Sequence, residues 1–228
     1  MRNKLLYIGV VSLLGFTVTV NAAILNITSN GAYDPNIDTF KAESGQGVPT
    51  GTGGYVDGLL TTDAPSLGFK YLGAGDATST NEVWFGTNRA AAEAAGDYFI
   101  NYTYGSLAAT SVGKIISLPS VPGDVMFHFV YNLTHISGGL TYTLDNGGVN
   151  PGQGAYLVNA SLSTSPFAGP SQLAYVGLAD RAYPTGDNDF QDLSFSVQAV
   201  PEPETYGMFL AGLGLVGFMV RRRKNEQA

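Results

Sequence analysis

The sequence predicts an all-β protein whose body is a single antiparallel β-sandwich with jelly-roll or Greek-key-like connections. Short runs rich in β-branched and aromatic residues alternate with clusters of Gly, Asn, Asp and Pro, the pattern of strands joined by turns. About nine such runs are evident, at residues 67–72, 82–85, 98–104, 112–118, 125–131, 140–144, 155–162, 173–178 and 193–197. The single helix-like stretch, Arg89–Ala95, is Ala-rich and short.

Local patterns in the body distinguish strands from connections. The even-numbered residues from Tyr98 to Tyr104 are apolar or aromatic and fall on one face, as expected for a strand. Residues 41–66 are rich in Gly, Thr, Pro and Asp and predict a surface loop. Residues 146–154 contain repeated Gly and Asn and predict a tight turn or hairpin loop.

Composition excludes several classes of protein. The chain has 228 residues, of which 44% are hydrophobic and 13% charged, with 30 Gly and no Cys. Enough apolar mass is present to form a core, which excludes a chain disordered by charge and low hydrophobicity. The absence of Cys excludes disulfides and Cys-ligated metal sites. The net charge of −7 argues against nucleic-acid binding, because that affinity comes largely from neutralising phosphates.

Residues 1–22 predict a secretory signal peptide. Arg2 and Lys4 form its positive start, and a long apolar run follows. The triplet at residues 20–22 (Val-Asn-Ala) then gives the small-x-small pattern that a signal peptidase accepts. We predict cleavage after Ala22, with Ala23 as the neighbouring alternative. An uncleaved membrane anchor is the alternative; it is disfavoured because the apolar run is at the short end of the ~17–25 residues that a spanning helix needs.

The segment 201–228 has a different organisation from the body. It begins with Pro-Glu-Pro, continues as an uncharged run at 205–220 and ends in a basic cluster of Arg221, Arg222, Arg223 and Lys224. As a helix the run is roughly 24 Å long, slightly short for a ~30 Å hydrocarbon core. We predict a membrane helix that holds the chain transiently on the inner membrane, with the basic cluster in the cytoplasm.

The order of these three parts resembles a PEP-CTERM sorting signal. The resemblance implies an exosortase, an integral-membrane Cys protease-transpeptidase, as the partner that removes the tail. It assigns Pro201, Glu202 and Pro203 to the recognition element and the three arginines at 221–223 to the retention cluster. It also implies a Gram-negative bacterium that makes extracellular polysaccharide, with export to the cell surface or matrix. The alternative is a simple tail anchor, which would not require Pro-Glu-Pro.

The predicted organisation is a signal peptide at 1–22, an exported domain at 23–200 and a sorting signal at 201–228. The exported domain contains five basic and 15 acidic residues and therefore carries a charge of −10. Such a domain repels acidic polysaccharide unless divalent cations bridge the two.

The best candidate for binding chemistry is an acidic loop at residues 187–192, directly before a predicted strand. Asp187, Asp189 and Asp192 offer hard oxygen donors at a spacing that suits calcium, and Asp180 is a further donor. The string resembles an acidic-loop module found upstream of PEP-CTERM tails, although Ala stands here where that module has Glu before the Asp at 180. The alternative is an acidic turn whose carboxylates accept hydrogen bonds from local backbone N–H groups.

The other motifs do not indicate catalysis. His128 and His135 are the only histidines, and their separation is not a usual zinc spacing. The sequence contains no Gly-x-Ser-x-Gly elbow, and the aromatic pair Trp84-Phe85 suits either core packing or stacking on sugar rings. We predict a non-enzymatic binding or scaffolding protein of exopolysaccharide or biofilm, with calcium as the candidate cofactor. The alternative is a secreted hydrolase acting on matrix glycan.

Overall fold

The computed structural model describes residues 24–28, 33–39, 51–56, 58–75, 77, 79–131, 133, 142–148, 156–159, 170, 171, 173–179, 190, 192–200 and 203–226. The predicted signal peptide at 1–22 lies outside these residues. The strands and helices of the described residues are β1 (Leu25–Thr28), β2 (Tyr33–Thr39), β3 (Gly51–Val56), β4 (Leu59–Thr62), β5 (Ser66–Gly73), β6 (Glu82–Phe85), α1 (Arg89–Ala95), β7 (Tyr98–Ile100), β8 (Ile115–Pro119), β9 (Gly123–Asp124), β10 (Phe127–Tyr131), β11 (Tyr142–Asp145), β12 (Tyr156–Asn159), β13 (Pro170–Ser171), β14 (Leu173–Leu178), β15 (Leu193–Val200) and α2 (Pro203–Glu226).

The described strands form three antiparallel sheets. The large sheet has seven strands in the order β2-β3-β12-β14-β15-β5-β8. The two smaller sheets have four strands each, in the orders β11-β10-β6-β7 and β13-β1-β4-β9. The prediction of an all-β body is therefore confirmed, whereas its arrangement as a single jelly-roll-like sandwich stays a prediction.

Aromatic rings from the large sheet and from one small sheet form the centre of the core. The Phe195 ring on β15 packs against rings of β6, β7 and β10, and the Phe69 ring on β5 packs against β6. Phe69 and Phe85 stack with ring centroids 4.1 Å apart, and Phe195 meets Phe85 edge to face at 5.4 Å. These offset and edge contacts are the geometries that aromatic pairs favour.

Two predicted elements differ from the structure. The predicted strand at 98–104 ends at Ile100, because the Asn101 side-chain oxygen accepts the Asn81 backbone N–H (2.8 Å) and the chain then turns. The predicted loop at 41–66 contains β3 and β4 in its described part. Those strands form in spite of their Gly and Thr content because each lies between two partners, β3 between β2 and β12, and β4 between β1 and β9.

The turn after β11 connects the two four-stranded sheets. The Asn146 side-chain oxygen accepts the Leu60 N–H (2.9 Å), and its amide donates to the carbonyls of Leu60 (2.7 Å) and Val125 (2.9 Å). Gly147 follows with φ 74°, in the left-handed region, where a Cβ would lie 2.9 Å from the Leu59 side chain. The described part of the predicted turn at 146–154 is thus confirmed.

Replacing Asn146 with Ala is expected to lower the free energy of unfolding by about 2 kcal/mol, because it leaves partly buried backbone groups without their partner. Urea unfolding measures the change. Asn26→Ala is the matched control, since Asn26 is exposed on β1 of the sheet that Asn146 contacts, and a change below about 0.5 kcal/mol is expected there. Equal losses in both variants would contradict the bridging role of Asn146.

The predicted carboxyl-terminal helix forms as α2. No helix in the described part of the chain is long and apolar enough to cross a membrane, so the prediction of a membrane helix at 205–220 is not confirmed. The uncharged run is short for a bilayer, and the glycines at 207, 212, 214 and 217 add little hydrophobicity to it.

Candidate functional site

The tail leaves the body at the end of a central strand. β15 lies between β14 and β5, and its last residue, Val200, pairs with Ser66 at the start of β5. α2 begins at Pro203, while Pro201 and Glu202 lie outside the described residues. The predicted sorting signal therefore follows the folded sheet without a linker.

The described side chains of α2 are exposed. Apolar residues with 41–67% of their surface exposed are Leu210, Leu213, Leu215, Val216, Phe218 and Met219. A Cβ at Gly207, Gly212, Gly214 or Gly217 would meet nothing within 4 Å. Arg221 and Arg222 are exposed as well; Arg223 lies in the helix, but its side chain is outside the description. The helix thus offers these side chains to a partner.

Of the four predicted calcium ligands, the structure describes only Asp192. Asp180, Asp187 and Asp189 lie outside the described residues. Asp192 is 4% exposed; its N–H donates to the Leu178 carbonyl (3.0 Å), and its carbonyl accepts from the Asn101 amide (3.4 Å). Among the described residues there is no group of three His, Cys, Asp or Glu that could hold a metal ion. Calcium binding at this loop stays a prediction.

His128 lies on the outer face of β10, opposite Phe127 and Phe129 as the alternation predicts. Its ring stacks on Trp84 of β6 with centroids 4.0 Å apart. Nδ1 lies 2.6 Å from the Asp145 carboxylate, and Nε2 lies 3.0 Å from the Gly86 carbonyl. Both ring nitrogens therefore lie within hydrogen-bond distance of an oxygen acceptor.

The side chains of Trp84, His128 and Asp145, here called the His128 cluster, connect the neighbouring strands β6, β10 and β11. Trp84 and Asp145 are its register partners on β6 and β11, so the contacts run across the sheet. The stacked rings and the hydrogen bond to the carboxylate both favour this register of the strands. A general base needs a free lone pair on Nε2, which here bonds to a main-chain carbonyl. His135 lies outside the described residues.

A buried ion pair, which the sequence interpretation missed, joins α1 to β6. Glu82 is fully buried, and one of its carboxylate oxygens lies 2.5 Å from the Arg89 guanidinium. Arg89 also lies 2.7 Å from Glu93, one helical turn further on. Within the part of the chain that the structure describes, the second carboxylate oxygen of Glu82 has no hydrogen-bond partner. Burial raises the pKa of Glu82, against the lowering effect of Arg89.

Lys114 is partly buried, and its side chain bonds to the backbone at the carboxyl-terminal end of α1. Its ammonium donates to the carbonyls of Gly96 (2.7 Å) and Tyr98 (3.2 Å) and lies 4.9 Å from the centroid of the Tyr98 ring. Burial lowers the pKa of Lys114. A cation at the carboxyl end of a helix satisfies its last carbonyls, so this contact is structural.

An apolar cleft of about 330 Å³ lies beside the edge strand β8. Its walls include Leu67, Phe69, Leu118 and Val125, with Asp124 among the polar lining residues. The cleft lies toward the end of the large sheet where β15 also ends, since Leu67 pairs with both Leu118 and Ala199.

The folded β body is followed, two residues after β15, by an exposed helix with a basic end. Residues 199–224 match the PEP-CTERM protein-sorting motif. The match includes all six residues assigned to the signal, Pro201, Glu202, Pro203, Arg221, Arg222 and Arg223. The motif implies export, sorting to the cell surface and processing by an exosortase. No curated protein and no solved structure matches this chain.

Proposed function

We propose that this protein is a component of the cell surface or extracellular matrix of a Gram-negative bacterium, with a non-enzymatic binding or scaffolding role in exopolysaccharide. The observation that carries the proposal is the sorting motif at 199–224, which starts where the folded body ends. Removal of the tail would then release an all-β domain that loses, at most, the end of β15.

The charge of the domain defines which matrix components suit it. With five basic and 15 acidic residues between 23 and 200, it binds neutral glycan, or acidic glycan through bridging divalent cations. Calcium held at Asp180, Asp187, Asp189 and Asp192 would provide such a bridge and would stabilise the folded state by mass action.

A non-enzymatic role is supported by the engaged His128 ring, whose two nitrogens both have partners. Incubation of the protein with matrix polysaccharide is expected to release no new reducing ends while the protein sediments with the polymer. Release of reducing ends that disappears when one carboxylate pair is changed would instead support the hydrolase alternative.

Changing Pro201, Glu202 and Pro203 together to Ala is expected to abolish processing, because it removes the recognition element of the sorting motif. The measurement is intact mass and fractionation of the full chain co-expressed with an exosortase. The unchanged chain should lose the region that ends in the basic cluster and reach the cell surface, whereas the variant should keep its residues through Ala228.

A suitable control is Val121→Ala, a change at a body side chain that is 75% exposed, which leaves the signal intact and should not alter where the tail is cut. The proposal is wrong if the unchanged chain keeps its tail at the cell surface, or if the triple variant is processed as efficiently as the unchanged chain.

A further inference from the structure

The large sheet ends at an edge strand, β8, that is paired on one side. β8 pairs with β5, and no other described strand pairs with it. The Tyr71 N–H donates to the Lys114 carbonyl (2.9 Å), and the Ser120 N–H donates to the Pro65 carbonyl (2.9 Å). Because the bonded positions alternate along an antiparallel strand, the even-numbered residues of β8 bond to β5 and the odd-numbered ones direct their backbone groups to the open edge. These odd-numbered residues are Ile115, Ser117 and Pro119.

This edge lacks the protection that the other edges of the described sheets have. β8 has five residues, none of them charged. The other edge strands are β2, β7, β9, β11 and β13, and each of them contains an Asp or has at most three residues. Charges and short strands protect a free edge, because its unpaired backbone groups otherwise bond to another chain. Among the described edges, β8 is therefore the one that is open to a further strand.

The segment that forms this edge is uncharged and exposed. Residues 115–123 contain no charged side chain. Ile115 is 65% exposed and Val121 is 75% exposed, more than any other large apolar side chain in the described part of the body. The apolar cleft of about 330 Å³ also lies beside β8, with Leu118 in its wall. A strand added along β8 would remove apolar surface from water in addition to pairing the free backbone groups.

Charge favours a second copy of this chain as the occupant of the edge. The exported domain carries a charge of −10, so two copies repel each other through most of their surface and meet best where that surface is neutral. The edge at β8 is such a place. A basic partner, in contrast, would be attracted to the acidic surface and would gain no electrostatic advantage from an uncharged strand.

The edge is also complementary to itself. If two β8 strands lie antiparallel around a two-fold axis at Ser117, each Ser117 N–H can donate to the Ser117 carbonyl of the other copy. Each Ile115 N–H can donate to the Pro119 carbonyl of the other copy, and Pro119 has no N–H that would be left without an acceptor. On the outer face, Ile115 then lies opposite Pro119, and two small Ser117 side chains meet at the axis.

We infer that two copies of this chain pair edge to edge through β8 in this antiparallel register and join their large sheets into one continuous sheet. The contact is the same on both copies, so it closes after two copies and forms a dimer. The dimer goes beyond the proposed function, and it requires neither the sorting signal nor a bound glycan.

The variant Ser117→Cys tests the register directly, because the chain has no other Cys. Opposite hydrogen-bonded residues of antiparallel strands have Cα atoms roughly 5.5 Å apart, within the range that a disulfide spans. Oxidation of the full-chain variant with copper phenanthroline should therefore convert most of it to a disulfide-linked dimer on a non-reducing gel. The matched control is Ser106→Cys, at an exposed turn of the body, which should stay mostly uncross-linked.

The variant Ser117→Lys tests the contact without a cross-link. Two ammonium groups would meet at the axis, so the dissociation constant of the full-chain dimer in sedimentation velocity should rise about tenfold or more. Lysine also makes the domain less acidic, so a weaker dimer could not come from repulsion between the two bodies. Ser106→Lys makes the same change of charge and should leave the constant unchanged. Every variant contains α2, so association through that helix would not distinguish them.

Three results would overturn the inference. The first is an unchanged chain that stays monomeric at its highest soluble concentration, and the second is a dimer that Ser117→Lys does not weaken. The third is equal cross-linking of the two Cys variants, because the contact would then not lie at β8. None of these measurements involves an exosortase or a glycan, so their failure is distinguishable from a failure of the proposed function.

Discussion

Replacing Phe195 with Ala is expected to lower the free energy of unfolding by about 3–5 kcal/mol, the usual cost of truncating a buried Phe. Phe195 is fully buried in the central strand β15. Its ring contacts five other Phe rings, those of Phe69, Phe85, Phe99, Phe127 and Phe129, with centroid distances of 5.4–6.3 Å. Because these rings come from two sheets, the cavity would remove contacts on both sides of the core at once.

Urea unfolding monitored by fluorescence measures this change, since Trp84 is the sole Trp and lies on β6 beside the core. Tyr104→Ala is the matched control: Tyr104 is 39% exposed, and its loss should change stability by less than about 0.5 kcal/mol. A loss below about 1 kcal/mol for Phe195→Ala would mean that the two sheets do not pack through this ring.

The strands of the core were predictable because their pattern is local. Residues 67–72 and 193–197 alternate or are continuously apolar, and both coincide with buried strands of the large sheet. The end of β7 was not predictable in the same way. Tyr102 and Tyr104 continue the alternation in sequence. The Asn81 N–H, however, donates to the side-chain oxygen of Asn101 instead of to a backbone carbonyl of a neighbouring strand. That bond joins residues 20 positions apart, which no local pattern shows.

The sorting signal and the Trp84–His128 stack also differ in how far a local pattern predicts them. The sorting signal is linear, so the order of Pro201–Pro203, an uncharged run and arginines was enough to predict it, and the motif match confirms it. The Trp84–His128 stack depends on the register of β6 against β10, and that register is set by the whole sheet. The alternation does place Glu82 and Trp84 on one face of β6, but it does not show that α1 brings Arg89 to that face.

Replacing Arg89 with Met is expected to lower the free energy of unfolding by about 3 kcal/mol at pH 7. Glu82 is fully buried, and Arg89 is its charged partner at 2.5 Å, so the variant leaves a buried carboxylate without compensation. The value is at the low end of the range for buried pairs because the Arg89 side chain is 36% exposed and partly screened by water. Chemical unfolding at fixed pH measures it.

Glu93→Gln is the matched control, since it removes the other carboxylate of Arg89, at 2.7 Å, while Glu82 keeps its ion pair with Arg89. The loss of the Glu93 charge also removes an influence that raises the pKa of Glu82. Glu93 is partly exposed, and its i,i+4 pair should contribute less than about 0.5 kcal/mol. The double variant Arg89→Met with Glu82→Met should recover most of the loss, because it removes the unpaired charge together with its partner. No recovery would show that Arg89 acts through packing alone.

The loss of unfolding free energy in Arg89→Met should also depend on pH, in a direction set by the pKa of Glu82. Burial raises the folded-state pKa of Glu82 above its ordinary 4.5, so the folded state binds more protons than the unfolded state once the pH exceeds that value. Stability from this group is therefore full below pH 4.5 and falls as the pH rises through the folded pKa. Without Arg89 that pKa rises further, so the deficit of the variant should be small at pH 4 and grow toward pH 7. A deficit that is constant over this range would show that Glu82 does not change its charge there and that the pair is not the source of the loss.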